Sequence, residues 1–394
     1  MAAPHSLPAP AAALFSLLAG EQLSGVDWEA VGVFAHATGL GPLLLHNAGE
    51  QLPPLQAARL RLAAQRTQAR NATLLAALAQ MLRACRDEAL PLIVLKGAYL
   101  APAIYRDLGL RGMTDIDVLV RPANFPRLQT VLAQLGYSGK HTDPERGPGI
   151  VKHEWTYKTA GATPATAATS TANPYLFADD SFHLEPHTSL TESWFGLRLE
   201  LGDDIWDRAV AWELEGVPAL ALHPADCLLH VAAHLIFHLL MGKPALIQLY
   251  DLRRLLEAFP DLAFDRPSAG HPGLYTRAQT TGASAHLYGA LRLAQAAYAA
   301  PVPAAWLQRL AADLPPGQRS RAEALDLPSL WRLTQKAPLT TIGQRLRRGL
   351  NDRALAAGWA RDRREAWRVW RSGVAFHRTD TAALLRRRLA LALR

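Results

Sequence analysis

Thr114-Asp115-Ile116-Asp117-Val118-Leu119-Val120 sets two carboxylates two positions apart at the head of an apolar, mostly β-branched run. Such a run predicts a buried strand, and residues two apart on a strand share a face. Asp115 and Asp117 then sit side by side. Two adjacent like charges are costly unless something positive neutralises them, and a divalent cation with oxygen ligands does so well. The motif suggests Mg2+ bound with a phosphate substrate; its ordinary alternative is a solvated strand end.

Upstream, Leu92-Ile93-Val94-Leu95 follows Pro91 and ends in Lys96-Gly97. It reads as a second buried strand, with a glycine turn into a short helix, Ala98 to Tyr105. A glycine between strand and helix lets backbone N–H groups approach an anion, and Lys96 adds a point charge for phosphate. A loop over 106–114 leads to the D-x-D strand. Pro122 then begins a helix that runs through Phe125–Leu135 and closes at Gly136 as its C-cap.

Downstream, His153–Lys158 and Ser181–Glu185 read as strands, joined by a Thr/Ala/Gly-rich insertion near 159–173 expected to be mobile. In Phe182-His183-Leu184-Glu185-Pro186-His187, alternation sets His183, Glu185 and His187 on one face. Glu185 is the candidate third carboxylate, able to ligate a metal and to accept the proton of an attacking hydroxyl.

These pieces together resemble the uncharacterised bacterial nucleotidyltransferase family, within the DNA polymerase β-like superfamily. The resemblance rests on Leu92 to Gly97, Tyr105, and Leu110-Arg111-Gly112-Met113 leading into the D-x-D strand. Glu185-Pro186-His187, Leu222-His223-Pro224 with His230 and His234, Tyr250-Asp251-Leu252 and Gly39 to Leu44 extend it over roughly residues 10 to 260. It implies Asp115, Asp117 and Glu185 as metal ligands and catalytic carboxylates. Lys96 and Gly97 would hold the triphosphate of ATP or another NTP, and Arg111 would neutralise it. Mg2+ or Mn2+ is the implied cofactor. Ala98 stands where the wider superfamily has serine, which leaves Lys96 as the side-chain phosphate contact.

The remaining chain frames this core. The 394 residues are nearly half apolar and 19% charged, which excludes a disordered chain. Cys85 and Cys227 form no C-x-x-C pair and read as buried thiols of a reducing compartment. The N-terminus lacks a basic segment, and no apolar run is long enough to span a membrane, so a cytoplasmic protein is expected. Neither a P-loop, a G-x-G-x-x-G nor a G-x-S-x-G elbow occurs, which removes the motif basis for P-loop, Rossmann and serine-hydrolase classes.

The expected fold is α+β: a small mixed β-sheet nucleotidyltransferase core flanked by N-terminal and C-terminal helical regions. The boundaries are 1–88 for the N-terminal helices, 89–221 for the core, 222–344 for a helical domain and 345–394 for a basic tail. That tail holds fourteen arginines against Asp352, Asp362, Glu365 and Asp380, with Trp359, Trp367 and Trp370 among them. It suggests weak contact with nucleic acid or an anionic surface, or a solvated helix whose tryptophans pack on the body. His230, His234 and His238 share a helix face and could bind a transition metal, although packed histidines fit their apolar neighbours better. The expected reaction is nucleotidyl transfer from an NTP to an unidentified acceptor (small molecule, peptide, protein or RNA) with pyrophosphate release. The alternatives are a non-catalytic nucleotide-binding or antitoxin-like module, and an RNA-directed transferase.

Overall fold

The computed structural model describes residues 7–140, 156–159, 183–194, 196–264, 271–334 and 342–371. Most of the 159–173 insertion and the end of the tail lie outside them. Four helices come first: α1 (Ala9–Ala19), α2 (Trp28–Ala37), α3 (Gly41–Ala48) and the long α4 (Pro54–Asp87). Pro53-Pro54 opens α4 because proline is tolerated where the first helical N–H groups lack partners. Its C-terminal half buries Leu74, Leu75, Leu78, Met81, Leu82 and Cys85, one stripe at helical spacing, against the sheet.

Among the described residues the main sheet has seven strands. β1 (Ile93–Val94), β2 (Asp115–Leu119), β3 (Tyr137–Lys140), β4 (Thr156–Thr159), β5 (His183–His187), β8 (Val210–Leu214) and β9 (Val217–Ala221) run in the order β3-β4-β5-β2-β1-β9-β8. β2 pairs antiparallel with β1 and parallel with β5. A separate hairpin, β6 (Thr191–Trp194) with β7 (Leu197–Glu200), lies outside this sheet. The D-x-D strand is thus central, and Ile116, Val118 and Val120 are fully buried as the apolar run requires.

Between β1 and β2 the chain makes α5 (Lys96–Leu100), a π-helical turn over Ala101–Tyr105 and the loop 106–114. α6 (Phe125–Gln134) follows β2, and Gly136 closes it in the left-handed conformation, as read from sequence. The strand expected over His153–Lys158 is β4 in its described part.

Beyond the sheet, α7 (Ile205–Arg208) is one short turn, and the helices α8 (Pro224–Leu240), α9 (Leu246–Ala258), α10 (Leu274–Thr281) and α11 (Ser284–Tyr298) pack together. α8 is apolar nearly all round and runs through the middle of this group. α12 (Ala304–Asp313), α13 (Pro316–Glu323), α14 (Leu327–Thr334) and α15 (Ile342–Gly358) complete the described chain, with a last helical stretch at 363–371. A single hydrophobic cluster connects Leu14 of α1, the sheet, α8 and Val369 of that stretch. In the basic tail Trp359 is buried, while Trp367 is exposed. Among the described residues no helix is long and apolar enough to cross a membrane.

Candidate active site

β2 and β5 run parallel in a register that sets Asp117 beside Glu185, Asp115 beside His183 and Leu119 beside His187. Leu184 and Pro186 alternate into the core, which turns Glu185 and His187 to the D-x-D face. One ligand atom from each of Asp117, Glu185 and His187 lies within 4.8 Å of the other two. Donors about 2.0–2.4 Å from a common cation are at most about 4.8 Å apart, so these three fit one ion. Asp115 is next along the same face, its Oδ1 accepting from Thr114 Oγ1 at 3.2 Å, and stands outside that closest group.

Asp117 is the electrostatic centre. Its Oδ1 takes Lys96 Nζ at 2.8 Å and His187 Nε2 at 2.8 Å. Burial alone pushes its carboxyl up, but the Lys96 charge and the His187 contact outweigh burial and hold it well below the usual range. Burial likewise pushes Lys96 down, and the charges of Asp117 and Asp115 reverse this, so it stays protonated far above neutrality. Asp115 is raised, first by burial and then by its like-charged neighbour. The ammonium now neutralises the carboxylate that a divalent cation would share.

The turn holding Lys96 differs in detail from the glycine turn read from sequence. Lys96 itself adopts the left-handed conformation, with φ 46°, and Gly97 does not. Gly97 is needed for another reason: a Cβ there would lie 2.3 Å from Arg111 Nη1 and 2.9 Å from Met113 Cγ. Arg111 is buried and gives its guanidinium to Asp251 of α9, Nη2 to Oδ2 at 2.8 Å and Nε to Oδ1 at 3.2 Å, and gives Nη1 to the Gly112 carbonyl at 3.1 Å. Tyr105 donates to the same Asp251 at 2.8 Å. The Arg111 charge still reaches Asp115. Its donors, however, brace the turn from behind.

α4 fastens the loop that leads into β2. Buried Asn71 donates to the carbonyls of Leu108 and Arg111, both at 2.7 Å, and accepts from the Met113 N–H at 3.2 Å. Arg70 reaches the Met113 and Thr114 carbonyls.

The α8 histidines lie within electrostatic reach of Lys96. His234 Nδ1 contacts Glu192 Oε1 of β6 at 2.6 Å, and the His234 and His238 rings are 4.1 Å apart. Burial, then the Lys96 and His234 charges, push His230 down to about 3, so it is neutral at pH 7. These histidines join no metal-compatible group among the described residues; Asp117, Glu185 and His187 make the one found there. Of the residues read from sequence, Asp115, Asp117, Glu185 and Lys96 come together. His187 was legible as Glu185's partner on one face, whereas Glu192, Asn71 and the bracing role of Asp251 carry no local motif.

No curated protein and no solved structure matches this chain. A family model described as uncharacterised nucleotidyltransferase matches residues 24–299, which takes in α2 to α11 and with them the whole of this cleft. The chain belongs to that uncharacterised nucleotidyltransferase family.

Proposed function

We propose that the protein transfers a nucleoside monophosphate from an NTP to an acceptor and releases pyrophosphate, with Asp115, Asp117, Glu185 and Lys96 at the reacting centre. The observation that carries this is the register of β2 on β5, which juxtaposes Asp117, Glu185 and His187 beside the Lys96 turn in a nucleotidyltransferase-family chain. A D-x-D strand in mid-sheet, with the third carboxylate on its parallel neighbour, also supports membership of the polymerase β-like superfamily.

Asp117, Glu185 and His187 would hold the cation, with Asp115 adjacent. Two carboxylates and one imidazole suit Mn2+ at least as well as Mg2+, which favours all-oxygen shells. When bound, the ion supplies charge neutralisation for the triphosphate. Lys96 then turns its ammonium to the β- and γ-phosphates, and the Arg111–Asp251 brace keeps its turn in place. The acceptor oxygen bonds to the α-phosphorus, and the bond from that phosphorus to the bridging oxygen breaks toward pyrophosphate.

Asp115→Asn with Asp117→Asn should abolish Mn2+-dependent pyrophosphate release from every NTP; release at the wild-type rate would overturn the proposal. Wild-type protein that binds NTP and Mn2+ without any release would support a non-catalytic nucleotide-binding module instead.

A further inference from the structure

We propose that Glu192 is the group that takes the proton from the attacking nucleophile, and that His234 positions it. The proposal rests on the transfer reading above. Glu185 is poorly suited to that role. Its ligand atom lies within 4.8 Å of those of Asp117 and His187, so its lone pairs face the cation position. A carboxylate whose electron pairs are shared with a divalent cation is a weak base.

Among the described residues the carboxylates whose charge reaches Lys96 are Asp117, Asp115 and Glu192; Asp115 shares the cation face of β2 with Asp117, which leaves Glu192 as the one off that strand. It projects from β6, part of a two-stranded hairpin set apart from the catalytic sheet. His234 of α8 grips its Oε1 at 2.6 Å. The side chain is 20% exposed and that of His234 15%, partly open to a nucleophile and still shielded from bulk solvent. Only three residues separate the end of β5 at His187 from the start of β6, and the Glu192 charge reaches Lys96 of α5, His230 and His238 of α8 and His286 of α11, which brings it near the Lys96 turn. Buried His230 is neutral, and the His234 contact is the one that holds Glu192 Oε1.

The step balances without another reactant. The nucleophile's O–H breaks with its proton passing to Glu192, the freed oxygen bonds to the α-phosphorus, and pyrophosphate leaves with the bridging electron pair. His234, held through Nδ1, fixes the carboxylate and stabilises its charge before transfer. Glu192 touches the reacting hydroxyl and is catalytic; His234 is a positioning residue.

The test uses the full chain with Mn2+, each of the four NTPs and water as the acceptor, reading pyrophosphate release. Glu192→Gln should lower kcat about 100-fold or more, the scale of general-base loss, with the KM for NTP and Mn2+ binding unchanged. Formate should restore part of the rate to Glu192→Ala and none to Asp117→Ala, a rescue that a purely structural role would not give. His234→Asn should lower kcat about tenfold with the KM for NTP unchanged, a split that a general loss of structure would not give. A Glu192→Gln rate within threefold of wild type, with Asp117→Asn inactive, would overturn the base assignment and leave the transfer reading standing. Wild-type release no greater than that of Asp117→Asn would overturn the transfer reading and this one with it.

Discussion

Gly97→Ala tests the bracing of the Lys96–Gly97 turn most directly. The added methyl would sit 2.3 Å from Arg111 Nη1 and 2.9 Å from Met113 Cγ. Ordinary contact is about 3.5–4.0 Å between heavy atoms, so the guanidinium must retreat by more than 1 Å. It is held by two bonds to Asp251 and one to the Gly112 carbonyl. Retreat leaves the buried Asp251 carboxylate short of its partner. Breaking a buried pair costs about 3–5 kcal/mol, and overpacking that relaxes costs about 1–3 kcal/mol. An intermediate loss of about 3 kcal/mol follows, read from the denaturant midpoint. The mechanism is separable from backbone strain, because the left-handed residue is Lys96 and not Gly97. In an Arg111→Ala background the methyl meets only the flexible Met113 side chain, so the same substitution should cost under about 1 kcal/mol. A coupling of about 2 kcal/mol is therefore expected. Additivity of the two changes within about 0.5 kcal/mol would refute the close-approach explanation.

Lys96→Met removes the ammonium that shares Asp117 Oδ1, so Mn2+ should bind at least as tightly as in wild type while nucleotide-dependent turnover falls at least tenfold; calorimetry and pyrophosphate release check both halves. Asn71→Leu strands two carbonyls and one N–H in the loop before β2, and at about 1–3 kcal/mol for each buried orphan it should destabilise by at least about 3 kcal/mol and raise hydrogen exchange across 106–114. Buried His286, stacked on Phe237 and near Trp359, is pushed by burial from 6.5 down to about 4. Because its folded value is depressed, the unfolded chain binds the proton first as pH falls, so stability present above pH 6.5 is lost progressively down to about pH 4. The loss from this residue is about 2 kcal/mol at pH 5, and His286→Phe should flatten that part of the thermal-melt profile.

The core of the site was legible because its elements are local. The apolar run after Asp115 marks a strand, and the alternation around Glu185 fixes which side chains share its face. Their pairing in register is a long-range event that no local spacing conveys; the family resemblance implied only that Asp115, Asp117 and Glu185 act together. Two hairpins escaped notice although one carries a signal. Leu214 pairs with Val217 across a two-residue turn, Glu215-Gly216, in which both residues have positive φ. That turn matches the twist of antiparallel strands, and glycine was its single visible mark. The triphosphate role assigned to Arg111 followed its place in the motif. What the motif could not convey is that Asp251, 140 positions later, would claim the guanidinium. Glu192 was invisible for the same reason: its meaning comes from a histidine on a helix 42 residues away.

The Asp251 brace also sets a clock on biosynthesis. Tyr105 and Arg111 leave the ribosome 146 and 140 residues ahead of the carboxylate that fixes them. At about 5–20 residues per second, the Lys96 turn waits roughly 7–30 s without its brace, and β1 waits almost as long for β9. A nascent chain halted before α9 would carry the D-x-D strand with its carboxylates in place and nothing to seat the lysine between them. The turn that sets Lys96 beside Asp117 is therefore braced only after the helices behind it have been made.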